Sequence, residues 1–201
     1  MSFAPCLAPF VMGFRDVNVY GLRDESPGHV HLQGLVNEHT HEDDNHWPMF
    51  LDDLDALGLN APTDLVSALR TMWSTECDRT RQLTYGLMAL ARSASPRLRI
   101  ALVEAIEATG FIAWRAFLEA ATDYTAATGK TLRYFGPEHA ALETGHAIGA
   151  DDIDRELRRI SLTPDERRQA IGMVDEVFGL FDKMLQEQLD YAQADRIPAD
   201  A

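Results

Sequence analysis

Apolar residues recur at helical spacing along almost the whole chain, and they alternate nowhere long enough to mark a confident strand. The pattern predicts a first helix from Phe10 to Leu22, although Asp16-Val17-Asn18-Val19-Tyr20 alternates like a short strand. Ser26-Pro27-Gly28 then breaks the chain. From His29 to about Leu57 a long helix follows, with Pro48 kinking or breaking it near its middle. The run from Gly58 to Pro62 ends it, and Thr63 or Asp64 caps a helix that runs towards Ala94. Ser95-Pro96 starts the next, from about Arg97 to Ala127. Gly136-Pro137 starts another, with the proline at a tolerated N-terminal position, and it stops near Gly149. Between Ala150 and Leu162 a short helix is expected around Asp154 to Arg159. Thr163 and Glu166 form a capping box that opens a last helix, ending at about Ala192. Residues 1–201 thus read as a single all-α domain of about six or seven helices, with a core from about residue 10 to 190.

Two of these apolar stripes are interrupted by ionisable groups, and there the chemistry concentrates. In the second helix the stripe runs Leu32, Leu35 and Val36, then Met49, Phe50 and Leu54. Between these flanks its place is taken by His39, by Glu42 or Asp43, and by His46. The spacing i, i+3, i+7 puts His39, Glu42 and His46 on one face. His41, Asp44 and Asn45 fall on other faces, and Glu38 lies to one side. About a hundred residues on, His139-Ala-Ala-Leu-Glu143-Thr-Gly-His146 repeats the arrangement as i, i+4, i+7. Ionisable groups on a core-facing stripe are costly unless paired or bound to metal. Two matched His/carboxylate faces suit a dinuclear site, and imidazole with carboxylate favours iron or manganese over a thiolate-rich zinc site. A third helix offers Glu104, Glu107 and Glu119. Glu107 sits on the apolar line between Val103 and Gly110 and is the preferred ligand; Gly110, one turn on, leaves room beside it. Trp47, Trp73, Trp114, Tyr85 and Tyr134 are expected in the core, and Arg81 and Arg99 are expected to pair with carboxylates of neighbouring helices.

The net charge of −14 and pI of about 4.8 argue against nucleic acid or an anionic membrane as a partner, since both need a basic patch. No run approaches the ~18 apolar residues of a membrane span, and no signal peptide is recognisable, so a cytoplasmic protein is expected. Two cysteines, Cys6 and Cys77, are too few for a disulfide scaffold and form no thiolate metal motif. Phosphate-binding glycine loops, dinucleotide fingerprints and nucleophile elbows are missing from the sequence.

The order of these residues resembles a known family. A His or carboxylate seven residues before a His, a Glu on a middle helix, then His139-x3-Glu143-x2-His146 is similar to the haem-oxygenase-like di-iron oxidases and oxygenases. These iron-containing redox enzymes are related in fold to the TenA thiaminases and the PQQ synthase. The stretch from Glu42 to Trp47, followed by Phe50 to Leu54 and Leu57-Gly58, adds to the likeness, which covers about Phe10 to Leu189. The resemblance implies a TenA-like bundle of about seven helices holding two Fe(II) ions, with Mn as a possible substitute. It implies O2 activation and oxidation of a small organic substrate such as an amino acid or fatty acid, with Phe50, Phe111, Trp114 and Phe135 lining the pocket. A homodimer is common in this fold. The chain departs from the family at His39, where the usual members carry Glu; Glu42, or less readily Asp43, is left to supply that carboxylate.

Two other readings compete. A thiaminase-like hydrolase would use Cys77 as nucleophile beside Asp78. A non-catalytic metal or small-ligand binding protein would keep the bundle without turnover, and His39 at the Glu position is its best support.

Overall fold

The computed structural model describes residues 1–28, 30–60, 62, 64–143 and 157–194, and among them it is helical throughout, with no strand. The α-helices are α1 (Ala4–Asp16), α2 (His31–Asp43), α3 (Trp47–Ala56), α4 (Leu65–Met72), α5 (Asp78–Ser93), α6 (Pro96–Thr128), α7 (Pro137–Glu143) and α8 (Pro164–Ala194). A π-helical segment, Val17–Leu22, continues α1, and a 3-10 turn, Thr75–Cys77, leads into α5. None of these helices is long and apolar enough to cross a membrane.

Local chemistry explains most of the boundaries. Asp64 caps α4 by accepting from Ser67 N at 2.9 Å, and Ser95 caps α6 by accepting from Leu98 N at 3.4 Å. The α6 helix ends at Gly129, whose φ of 72° is the left-handed conformation that favours glycine at a helix end. At α8 the capping box is closed in both directions: Thr163 N donates to Glu166 Oε2 at 2.8 Å, and Glu166 N donates to Thr163 Oγ1 at 3.2 Å.

Three predicted elements differ. The first helix begins at Ala4 rather than Phe10, and Asp16 to Tyr20 is helical, not extended. The long helix predicted from His29 to Leu57 is two helices, with the break at Asp44 to His46. Pro48 has no N–H, and its ring would crowd the carbonyl four residues back, so the helix stops before it and restarts with the proline in the tolerated first turn. The helix predicted from Asp64 to Ala94 breaks between Met72 and Asp78, where Ser74 Oγ accepts from Glu76 N at 3.2 Å. Most of the expected helix around Asp154 to Arg159 lies outside the described residues.

The core draws on α1, the π-segment, α2, α3, α5, α6 and α8. The α8 helix packs along both α5 and α6, α1 lies on α5, and α2 lies on α6. Close approach is permitted by small residues: a Cβ at Gly86 would meet Leu180 Cδ1 at 2.6 Å, and one at Gly13 would meet Thr84 Cγ2 at 2.6 Å. Trp73 (64 % exposed), at the end of α4, and Tyr85, on α5, are surface residues, not core. Arg81 donates to the carbonyls of Met72 and Ser74 and pairs with Asp78 of its own helix. Arg99 reaches Gln33 Oε1 and the carbonyls of Ala91 and Leu22 rather than a carboxylate.

Candidate metal centre

Three helices and one turn bring their polar residues to a single point inside this core. From α2 come His39 and Asp43, 2 % and 4 % exposed, four residues apart on one face. His46 sits in the break between α2 and α3, Glu107 projects from the middle of α6, and His139 lies in the first turn of α7.

The break before Pro48 decides which carboxylate enters. On one continuous helix Glu42 and Asp43 would both lie within about 60° of His39. Because α2 ends at Asp43, His46 arrives by a turn, and the side chain between the two histidines is Asp43. Glu42 is exposed on the outer face, as are Glu104 and Glu119. Arg23 fixes this end of α2: its Nη2 donates to Thr40 O at 2.7 Å and to Asp44 Oδ2 at 2.6 Å. A cation on the last carbonyls of a helix also complements its dipole. The sequence pattern held no signal for Arg23, which lies before the helix it closes.

Asp43 turns one oxygen to each histidine. Its Oδ2 is 3.8 Å from His39 Nε2, and its Oδ1 is 3.3 Å from His46 Nδ1. Glu107 Oε1 stands 3.3 Å from His39 Nε2, and His139 Nε2 stands 3.0 Å from His46 Nδ1. Metal–donor bonds of about 2.1 Å place donors that share one cation about 3.0–4.2 Å apart. Donor atoms of His39, Asp43 and Glu107 all lie within 4.8 Å of one another, so this trio fits a cation as it stands. His46 and His139 form a second donor pair, joined to the trio through Asp43 Oδ1.

The aromatic surroundings orient His139. Its Nδ1 faces the carbonyl of Tyr134 at 2.9 Å. A carbonyl only accepts, so the ring proton sits on Nδ1, and in the neutral ring Nε2 keeps its lone pair towards His46. Histidine ligands are commonly held this way, with the far N–H on a backbone oxygen. Tyr134 stacks on the imidazole at 4.5 Å and Trp114 meets it edge-on at 4.5 Å. The turn that delivers α7 is anchored in its own right. Asp53, buried on α3, accepts from Arg133 N at 2.5 Å and from Phe135 N at 2.9 Å. Burial pushes the Asp53 carboxyl above its ordinary range, partly offset by these backbone donors. Gly136 is required there, since a Cβ would lie 1.9 Å from Leu132 O.

A cavity of about 60 Å³ opens beside the cluster, bordered by Asp43, His46, Glu107 and His139. Its other walls are apolar, with Leu7, Phe10 and Val11 from α1 and Phe181 and Met184 from α8, and Arg15 also borders it. Of the four aromatic residues expected to line it, only Trp114 does. Phe50 and Phe135 form the layer behind, their rings 6.0 Å apart, and Phe111 is 62 % exposed on the outer side of α6. Gly110 does border the cavity, where a Cβ would rest 3.6 Å from Trp114 Nε1. Glu143 closes α7, but its side chain and the whole of His146 lie outside the described residues. Cys77 is buried and does not border this cavity.

In comparisons with known proteins, no family model matches the chain and no curated protein matches it.

Proposed function

We infer that this chain is a non-haem iron protein of the haem-oxygenase-like kind, holding two ferrous ions and using O2 to oxidise a small organic molecule. The observation that carries the reading is Asp43, whose two oxygens face two different histidines from within a buried apolar wall. That is the disposition of a bridging carboxylate. His39, Asp43 and Glu107 would hold one cation, and Asp43, His46 and His139 the other. The donor set contains nitrogen and oxygen but no sulfur, which suits iron or manganese. Bound there, ferrous ions would supply the electrons for reducing O2, which no side chain of this site can provide.

The remaining work falls to the chain's own residues. Asp43 and Glu107 bring negative charge into the core and so favour a cation over the empty cluster. Tyr134 O and the two aromatic faces keep His139 in one tautomer and one orientation. Leu7, Phe10, Val11 and Phe181 exclude water from the space where a substrate bond would lie. Arg15 offers a cation to the carboxylate of an amino or fatty acid entering beside α1. The cavity is small, so a substrate enters by its end rather than whole.

The test is oxygen uptake by the Fe(II)-loaded chain against a panel of amino acids and fatty acids. Uptake that depends on one substrate class and is lost in His39→Ala supports the reading. Metal binding with no uptake on any member would favour a binding protein instead.

A further inference from the structure

A second buried polar cluster lies on α1, the 3-10 turn, α5 and the far end of α8, and none of its members borders the cavity beside the histidines. Cys6, in the first turn of α1, and Cys77, at the start of α5, are 71 positions apart and both wholly buried. Cys6 Sγ lies 3.0 Å from the carbonyl of Glu76, the residue next to Cys77. It also accepts from Gln188 Nε2 at 3.4 Å and lies 3.9 Å from Glu187 Oε1. Glu187 in turn accepts from Arg79 N at 2.6 Å, Thr80 N at 2.8 Å and Thr80 Oγ1 at 2.8 Å, so its carboxylate caps α5 from another helix. Beside this cluster is a cleft of about 730 Å³, lined by Thr75, Glu76, Arg79 and Glu187 among others, which brings solvent to Glu76, the residue before Cys77.

We propose that Cys6 and Cys77 are a peroxide-oxidisable dithiol, with Cys77 the attacking sulfur and Cys6 the resolving one. Geometry assigns the roles: Cys77 stands at the N-terminus of α5, where the helix field favours an anion, whereas Cys6 is enclosed by the Glu76 carbonyl and the Glu187 carboxylate. The electrostatics agree. The hydrogen bond from Cys6, with Arg81 beside it, draws the Cys77 thiol below its ordinary value of 9.0, against the opposing effects of burial, Glu187 and Glu76. The same hydrogen bond, with burial and Glu187, holds the Cys6 thiol well above it.

The oxidant is hydrogen peroxide. The Cys77 thiolate attacks one peroxide oxygen, the O–O bond breaks, and a sulfenic acid forms; the departing hydroxide takes up the proton Cys77 had released and becomes water. Cys6 then attacks the sulfenic sulfur, the S–OH bond breaks, and the Cys6 proton leaves with it as a second water. Each sulfur is oxidised by one electron and the peroxide is reduced to two waters. The new bond ties α1, whose Leu7 and Phe10 wall the cavity, to the start of α5. It does not depend on the metal reading, because no residue of that cluster takes part.

The full chain, purified under reducing conditions, is treated with equimolar hydrogen peroxide, then denatured and alkylated. The expected result is loss of both alkylatable thiols, a mass lower by two hydrogens, and a reducible tryptic cross-link between Met1–Arg15 and Thr71–Arg79. Cys6→Ser should instead stop at a dimedone-trapped sulfenic acid on Cys77, while Cys77→Ser should leave Cys6 a thiol. Two thiols that remain alkylatable in folded, peroxide-treated protein would overturn the proposal, and so would a disulfide formed only between chains. Dimedone capture at Cys6 in Cys77→Ser would overturn the assignment of roles.

Discussion

Replacing Asp43 by Asn separates the proposed bridging carboxylate from its neighbour Glu42 at the cost of one atom. The asparagine keeps the shape but loses the charge and turns an NH2 towards one of the two histidines that Asp43 now faces at 3.3 and 3.8 Å. Loss of a partner to a ligand already lowers metal affinity about 10–100-fold, so loss of a ligand shared by two cations should cost about 100-fold or more. The readout is thermal stability under anaerobic Fe(II), or Mn(II) as an oxygen-inert stand-in. At free metal of about one hundred times Kd, binding stabilises the folded chain by about 2.7 kcal/mol. At about 2–4 °C per kcal/mol for a chain of this size, that is a rise in Tm of about 5–11 °C. For Asp43→Asn at the same metal concentration the gain falls to about 0.4 kcal/mol, a rise of about 1–2 °C. Glu42→Gln, on the exposed face of α2, should keep the full shift. A full shift in Asp43→Asn, or its loss in Glu42→Gln, would refute the placement of the bridge.

Glu187→Ala leaves two N–H groups at the start of α5 without their acceptor, and at about 1–3 kcal/mol each the loss should be about 2–6 kcal/mol in urea unfolding; a loss within about 0.5 kcal/mol would contradict the cap. Gly136→Ala drives a Cβ to 1.9 Å from a backbone oxygen, so the turn before His139 must move; the expected cost is about 1–3 kcal/mol together with weaker Fe(II) binding in a titration. The Thr163 N–H holds the Glu166 carboxyl below its ordinary 4.5. The contribution of the capping box is therefore present above that pH and is lost as pH falls through the lowered value in the folded chain. Thermal melts from about pH 6 to about pH 3 should show a steeper acid loss in the wild type than in Glu166→Gln, whose side chain does not titrate.

Features set by near neighbours in the chain were legible in the sequence. The Thr163 and Glu166 box opens α8 as its spacing demands, and α6 runs from Pro96 to Thr128 against an expected Arg97 to Ala127. The interrupted stripe at His39 does face the core, and Glu107 and His139 do meet that face or its partner His46. Asp43 was harder to separate from Glu42, because one residue is a rotation of 100° and the helix break at Asp44, not the periodicity, settles which side chain points inward. Phe111 reads as part of the apolar line of α6 yet is exposed, since it lies a rotation of about 100° beyond Gly110, which borders the cavity. Contacts across large sequence separations left no local signal. The closeness of Cys6 to Cys77, the cap that Glu187 places on α5 and the wall that α1 gives the cavity all arise only once the helices pack.

The most direct measurement is the number of ferrous ions bound per chain, counted by elemental analysis after anaerobic loading and removal of free metal. Two ions per chain, falling to one or none in Asp43→Asn, is the result the bridging arrangement predicts. A wild-type chain that retains no stoichiometric iron, or manganese in its place, would contradict it.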